Sequence, residues 1–327
     1  MDTHPRKAAT PSDAATHLPR NPAAPSALRA RISLCLAMAI VGSSVVAGKY
    51  VVLSMPVYLS LWLRFAIAFA VMLPLLFLRE GGLPRAPRTD WLLLFAQAGC
   101  GGFLFNALLL EGLRHTDAPS AGIITATGPA CAMLVSCLML GERLTRRTAL
   151  AVCLSFSGIA LLHAGNPQMT ASAPARQITA YGTMLVFGAV MAESLFLLLG
   201  KRLRTRITPL AASTLLCGFC TVQFFPLALP QLLAGGMSGM SYADAMVIAW
   251  YALGITVGAY LLWFSGVAHV RGAEAGLYTG IMPVSALLFS SLLPGNVIGW
   301  QHAAGCTAVL LGIAAASLPY RPAKQLQ

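Results

Sequence analysis

Apolar residues run through this chain in long blocks, and polar residues fall in short breaks between them. The blocks cover about 32–54, 57–78, 91–112, 118–140, 147–164, 179–200, 208–230, 244–267, 272–293 and 297–318. Each is roughly 18–25 residues long, the length of helix that crosses a hydrocarbon core of about 30 Å. The pattern predicts an all-α integral membrane protein of about ten transmembrane helices. The longest breaks, near 165–178 and 230–243, are rich in Gly, Ser and Ala, and the first divides the chain into two groups of five. The expected organisation is a tail over 1–30, a five-helix unit over 31–164, a linker loop over 165–178, a second unit over 179–318 and a tail over 319–327. The first tail has too few large apolar residues to fold alone and is expected to be disordered.

The two groups are copies. Residues 121–141 (AGIITATGPACAMLVSCLMLG) and 275–295 (AGLYTGIMPVSALLFSSLLPG) are identical at 9 of 21 positions at a constant offset of 154. Gly112 and Gly266, His115 and His269, and Gly158 and Gly312 keep that offset, and Gly48-Lys49 returns as Gly200-Lys201 at 152. Five is odd, so a second copy enters the membrane from the opposite side. The expectation is therefore a pair of inverted repeats, an architecture of secondary transporters.

Pro129 and Pro283 fall inside the fourth and ninth blocks. Proline has no N–H, so the carbonyl four residues earlier loses its partner. Those carbonyls belong to Thr125 and Thr279, an identical pair. Interrupted segments at matching places in two halves point to a transport site. Lining of a central cavity and a plain kink relieved by the threonine hydroxyl are both open readings.

Composition excludes a soluble globule. The chain is 57% hydrophobic and 10% charged, against about 25% charged in soluble domains. Net charge +12 does not point to nucleic acid, because the basic residues sit in the short breaks. With the N-terminus inside, 18 of the 22 Lys and Arg fall on cytoplasmic segments, which predicts cytoplasmic N- and C-termini. All eight cysteines lie within predicted helices, so no disulfide framework is expected. Cys217 and Cys220 share a helix face and are read as packing residues.

Polar groups inside the blocks are the candidate site. Arg64 lies about seven residues into the second helix, roughly 10 Å deep. Intramembrane arginine faces a cavity, a carboxylate or carbonyls. A structural pair with Glu111 and a contact to a substrate carboxylate are both open. Glu193 is the acid placed deepest, as a coupling or cation-recognising carboxyl or as a neutral acid bonded to a neighbouring helix. Lys49 sits near the outer end of the first helix, where it either snorkels or serves in coupling or charge pairing. Glu274 is expected to cap the ninth, and His115 and His269 to be interfacial. Asn106, Ser43, Ser44 and Ser194 either meet substrate or bridge helices. Among Trp62, Trp263, Tyr181, Tyr260 and Tyr278, the last is the first choice for lining, beside Thr279.

These residues resemble the EamA-type family of the drug/metabolite transporter superfamily over roughly 32–318. The markers are GSSVVAGK (42–49), LRF (63–65), GERL (141–144) and RGAEAGLYTGIMPVSA (271–286). The resemblance implies ten helices around a central cavity, a bacterial inner membrane, no cofactor, and export or exchange of small metabolites such as amino acids or related compounds. The second Gly-Glu motif reads Gly295-Asn296, a departure from the pattern. The function read here is a secondary transporter working by alternating access. Its partners are a small-molecule substrate, lipid and, as a candidate coupling ion, the proton. No metal and no nucleic acid are expected, and nothing in the sequence sets an oligomeric state. A channel and a non-transporting sensor or scaffold are the alternatives. No catalytic motif stands in the chain, so an enzyme is not expected.

Overall fold

The computed structural model describes residues 27–140, 149–150, 153–154, 157–158, 160, 173–200, 202–205, 207–267, 269–270, 278–292 and 299–317. They form helices without strands. The elements are α1 (Ala27–Ser54), α2 (Val57–Glu80), α3 (Arg88–Gln97), α4 (Phe105–His115), α5 (Ala118–Thr125), α6 (Gly128–Leu140), α7 (Ala173–Gly200), α8 (Pro209–Leu233), α9 (Tyr242–Ala249), α10 (Ala259–Val267), α11 (Ile281–Ser290) and α12 (Trp300–Ser317). Seven stretches among the described residues are long and apolar enough to cross a membrane: Leu28–Ser54, Val57–Glu80, Arg88–His115, Ala118–Cys137, Thr179–Gly200, Pro209–Leu233 and Tyr242–Val267. Ile281–Ser290 is a shorter apolar helix. Most of the expected fifth span, 147–164, lies outside the described residues, as do Glu274, the GERL motif and Gly295-Asn296. α1 starts at Ala27 and α7 at Ala173, inside the stretches read from sequence as tail and linker.

Local chemistry sets the helix ends. Gly81, at φ 77°, closes α2 and donates its N–H to the Phe77 carbonyl, a left-handed cap that glycine adopts without steric cost. Asp117 caps α5 by accepting from the Ser120 N–H at 2.8 Å. Thr208 caps α8 ahead of Pro209, and Ser241 with Asp244 forms a capping box on α9.

Two departures from plain α-helix recur in both halves. α3 and α4 are joined by a π-helical segment, Ala98–Leu104, and α9 and α10 by another, Trp250–Gly258. Their starts are 152 residues apart, and both are glycine-bearing. The fourth span is broken instead of kinked, and a matching turn stands in the ninth. Turns at Ala126-Thr127 and Thr279-Gly280 precede α6 and α11, so Pro129 and Pro283 sit in the first turn of a new helix. A proline is tolerated there because its missing N–H would have no intrahelical partner. The carbonyl of Thr279 accepts from the Met282 N–H at 3.2 Å, and the Thr125 hydroxyl donates to the Gly122 carbonyl at 2.9 Å. Of the two readings left open by the sequence, the plain kink gives way to this break.

Packing relates the halves by a pseudo-twofold axis. α2 and α8 are counterparts, with Pro74 and Pro226 152 residues apart. They pack on each other, Phe65 stacking on Phe224 at 5.8 Å. A Cβ built on Gly112 would lie 2.7 Å from Val186 and 2.9 Å from the Gly182 carbonyl on α7. A Cβ on its counterpart Gly266 would lie 2.7 Å from Leu34 and 2.8 Å from the Ala30 carbonyl on α1. Gly182 and Val186 correspond to Ala30 and Leu34 at an offset of 152. Each of these pairs therefore takes one helix from each half. The first contact joins the end of α4 to the early part of α7; the second joins the end of α10 to the start of α1. The end of α1 also meets the end of α4, where Lys49 Nζ donates to the Leu113 carbonyl at 2.6 Å, so α1 begins at one end of the bundle, the near end, and α7 begins at the opposite, far end. The repeats are inverted.

Candidate functional site

The centre of the site is Arg64, eighth residue of α2 and only 8% exposed. Its Nε donates to Thr256 Oγ1 at 2.9 Å and its Nη1 to Asn106 Oδ1 at 2.8 Å. The guanidinium carbon stands 4.1 Å from the Tyr251 ring centroid and 5.0 Å from that of Phe65, a cation–π arrangement. Asn106 follows the first π segment and Thr256 lies within the second. Asn106 Nδ2 donates to the Gly102 carbonyl at 2.6 Å, and Thr256 Oγ1 donates to the Tyr251 carbonyl at 2.9 Å. Each π segment thus ties down one ligand of the arginine, one from each half. Tyr251 Oη donates to the Ser44 carbonyl at 3.0 Å, and Trp250 Nε1 donates to Ser43 Oγ at 3.1 Å. Arg64, Asn106, Ser43 and Ser44 are therefore brought together.

Glu111 is not part of this group. It pairs with Arg114 at 3.4 Å and His115 at 3.6 Å, on a half-exposed surface. Five residues of helix separate it from Asn106, a rotation of about 140°, so it faces away from Arg64. The expected Arg64–Glu111 pair is replaced by hydroxyl, amide and ring contacts.

Glu193 occupies a second place on α7, nearer the other end. A Cβ on Gly128, at the break before Pro129, would lie 3.5 Å from its Oε2. It is half-buried, and none of the hydrogen bonds among the described residues involves it. Tyr260 stands on α10, its ring centroid 6.0 Å from that of Phe264. Tyr260 also lines a cleft of about 280 Å³ at the near end, with Met72, Glu80, Ser213, Phe264 and Ser265. Ser194 turns back onto its own helix, donating to the Val190 carbonyl at 2.9 Å. Thr125 and Pro283 are buried at the breaks, Tyr278 and Thr279 are half-buried, and Pro129 is exposed.

The far end is shut. Lys49 Nζ donates to the carbonyls of Leu113 at 2.6 Å and Thr116 at 2.8 Å, the last turn of α4. Beside it, a Cβ on Gly48 would meet Leu110 at 2.8 Å, Leu113 at 3.0 Å and Tyr251 Oη at 3.1 Å. Below these, Asp117 accepts from Ser120 and lies 3.5 Å from His302 Nε2. His302 Nδ1 accepts the Gly299 N–H at 3.1 Å, which leaves the ring proton on Nε2, facing Asp117. Burial disfavours the Asp117 charge, but the bonds from His302 and Ser120 outweigh it and hold the carboxyl below the usual range. The counterpart glycine is packed differently. A Cβ on Gly200 would meet only Gln97 of α3 among the described residues, with nothing of α10 within 4 Å.

Sequence reading missed Thr256, Tyr251 and Trp250. Their signal was the glycine clustering of 99–102 and 254–258, which marks the π segments that present them.

Comparison with known proteins fits this geometry. The sequence profile of the EamA-like transporter family matches twice, over residues 28–164 and 180–318, once per repeat. An uncharacterized transporter of Bacillus subtilis (strain 168), YetK, is 37% identical over 287 residues, covering 87% of this chain and 85% of its own. A probable terminal-alkyne amino-acid exporter of Streptantibioticus cattleyicolor is 26% identical, over 65% of this chain and 69% of its own. A crystal structure 21% identical aligns with a TM-score of 0.61, covering 88% of this chain and 96% of that one, a likeness of fold. Duplicated profile, inverted packing and apolar spans agree: this is a multi-pass membrane transporter, and the chain belongs to the EamA-like transporter family.

Proposed function

We propose that the protein exports small metabolites, amino acids or related compounds, across the bacterial inner membrane by alternating access. Ten helices cross the membrane, and both termini are cytoplasmic. The near end then faces the cytoplasm. The observation that carries the reading is the asymmetry between two equivalent glycines. Gly48 is seated on α4 and α10's neighbour Tyr251, whereas Gly200 is unseated from α10. Inverted repeats can exchange these two arrangements, which opens the centre to one side and then the other. An exporter loads from the cytoplasm, and the conformation with the near end free is the loading one. The kinship with a probable amino-acid exporter supports the substrate range. Glu193, in the near half and without a hydrogen-bond partner among the described residues, is the candidate proton carrier.

The test is flux in proteoliposomes loaded with a mixed amino-acid and metabolite panel, with and without an imposed pH gradient. The expected result is saturable efflux of one class, with counterflow when the same class is added outside. Unsaturable flux without counterflow would make the protein a channel. No flux of any solute would leave a fold without transport and overturn the reading.

A further inference from the structure

We infer that Arg64 receives a carboxylate of the transported solute, so that the substrates are small monocarboxylates, amino acids included, anchored beneath the far seal. This deepens the transport reading and rests on it. Arginine offers five N–H donors. Two are spent, on Thr256 and Asn106, which leaves one on Nη1 and both on Nη2. Nη2 has no hydrogen bond among the described residues, and it is not among the fully enclosed polar atoms left without a partner, so this edge is not sealed.

Among the described residues no carboxylate lies within ion-pair distance of Arg64. Five of the six acids among the described residues are held elsewhere, Asp90 by Thr205, Asp117 by Ser120, Asp244 by Ser241, Glu80 by Thr208 and Glu111 by Arg114, and the sixth, Glu193, makes no ion pair with Arg64. A cation inside a membrane is costly until it is neutralised, and one positive charge matches a monoanion. The rigid fork suits a carboxylate bound through two parallel hydrogen bonds. Thr256, Asn106 and Tyr251 hold the fork flat and fix which edge stays free. Tyr251 also touches the seal, through the Ser44 carbonyl and beside Gly48, so an anion on Arg64 sits next to the contact that must open for release.

The experiment uses the full chain and matched acid and amide pairs: phenylacetate with phenylacetamide, L-leucine with L-leucinamide. Competition in counterflow and thermal shift of the detergent-purified protein are both read. In wild type the acid should compete at least about tenfold better than its amide, the strength of one charge-assisted bond. Arg64→Lys keeps the charge but loses the fork, and the preference should shrink about tenfold. Arg64→Gln should lose the preference altogether. A purely structural arginine would change all solutes alike and leave the acid-to-amide ratio intact. Equal competition by acid and amide in wild type, or a preference that survives Arg64→Gln, overturns the inference while transport stands. If nothing is transported, an acid-specific thermal shift that disappears in Arg64→Gln keeps the carboxylate site and overturns the transport reading. Absence of any acid-specific shift overturns the site.

Discussion

The two ends of the bundle are built from equivalent residues and packed differently. At the far end Gly48 lies against Leu110, Leu113 and Tyr251, and Lys49 closes the last turn of α4. At the near end a Cβ on Gly200 would meet only Gln97 among the described residues, and Tyr260 and Phe264 line a cleft. A repeated sequence does not impose a symmetric structure. The copies supply two equivalent seals, and one conformation uses one of them. The difference between the ends is a statement about state, and it can be broken residue by residue.

The largest effect is expected at the glycines themselves. Gly48→Val adds a branched side chain where a single Cβ is already 2.8 Å from Leu110. It should prevent far closure and reduce counterflow at least about tenfold, since overpacking of this kind costs about 1–3 kcal/mol. Gly200→Val should also stop turnover, by preventing near closure, but it should trap the conformation described here. Counterflow and labelling from each side distinguish the two: the first variant becomes open at the far end, the second stays open at the near end. Next comes Lys49→Met. It removes two charge-assisted bonds to the Leu113 and Thr116 carbonyls, each worth about 1.5–3 kcal/mol, and should raise far-end accessibility about tenfold or more.

Glu193→Gln separates the halves in another way. Arg64 lies toward the far end and Glu193 toward the near one. The variant should keep saturable counterflow and lose its dependence on a pH gradient; gradient dependence that persists would remove Glu193 as the proton carrier. The smallest effect is at Asp117. Asp117→Ala removes the cap of α5 and should lower stability by about 1 kcal/mol, read as a shift in thermal unfolding. Because the folded carboxyl is held below its ordinary value, its contribution is complete above about pH 4 and is lost as pH falls through the lower folded value. Wild type and variant should therefore converge in strong acid.

Much of the fold was legible because lipid permits few solutions. Every spanning segment must satisfy its own backbone, so the apolar blocks announce the helices. Seven of the ten expected spans stand as long apolar stretches among the described residues. The duplication around Pro129 and Pro283 located the breaks, although not their form. A proline removes one donor whether the helix bends or restarts, and only the turn at 126–127 with the matching one at 279–280 decides. Arg64 and Asn106 were legible as polar residues at depth. The partnership with Thr256, 192 positions away, was not, because it depends on how α2 meets the second π segment. Glu111 looked like the natural partner for Arg64 by charge alone. Helix rotation, invisible in charge counting, places it on the other side.

The central claim is that the two ends open in opposition. Double electron–electron resonance tests it directly, with spin labels on non-natural ketone residues so that the eight native cysteines stay in place. One pair, at Leu53 and Tyr181, spans the far end, and another, at Leu28 and Leu197, spans the near end; all four side chains are exposed. Gly48→Val should lengthen the 53–181 distance and shorten the 28–197 distance in the same sample. Two distances that stay fixed, or that lengthen together, would contradict it.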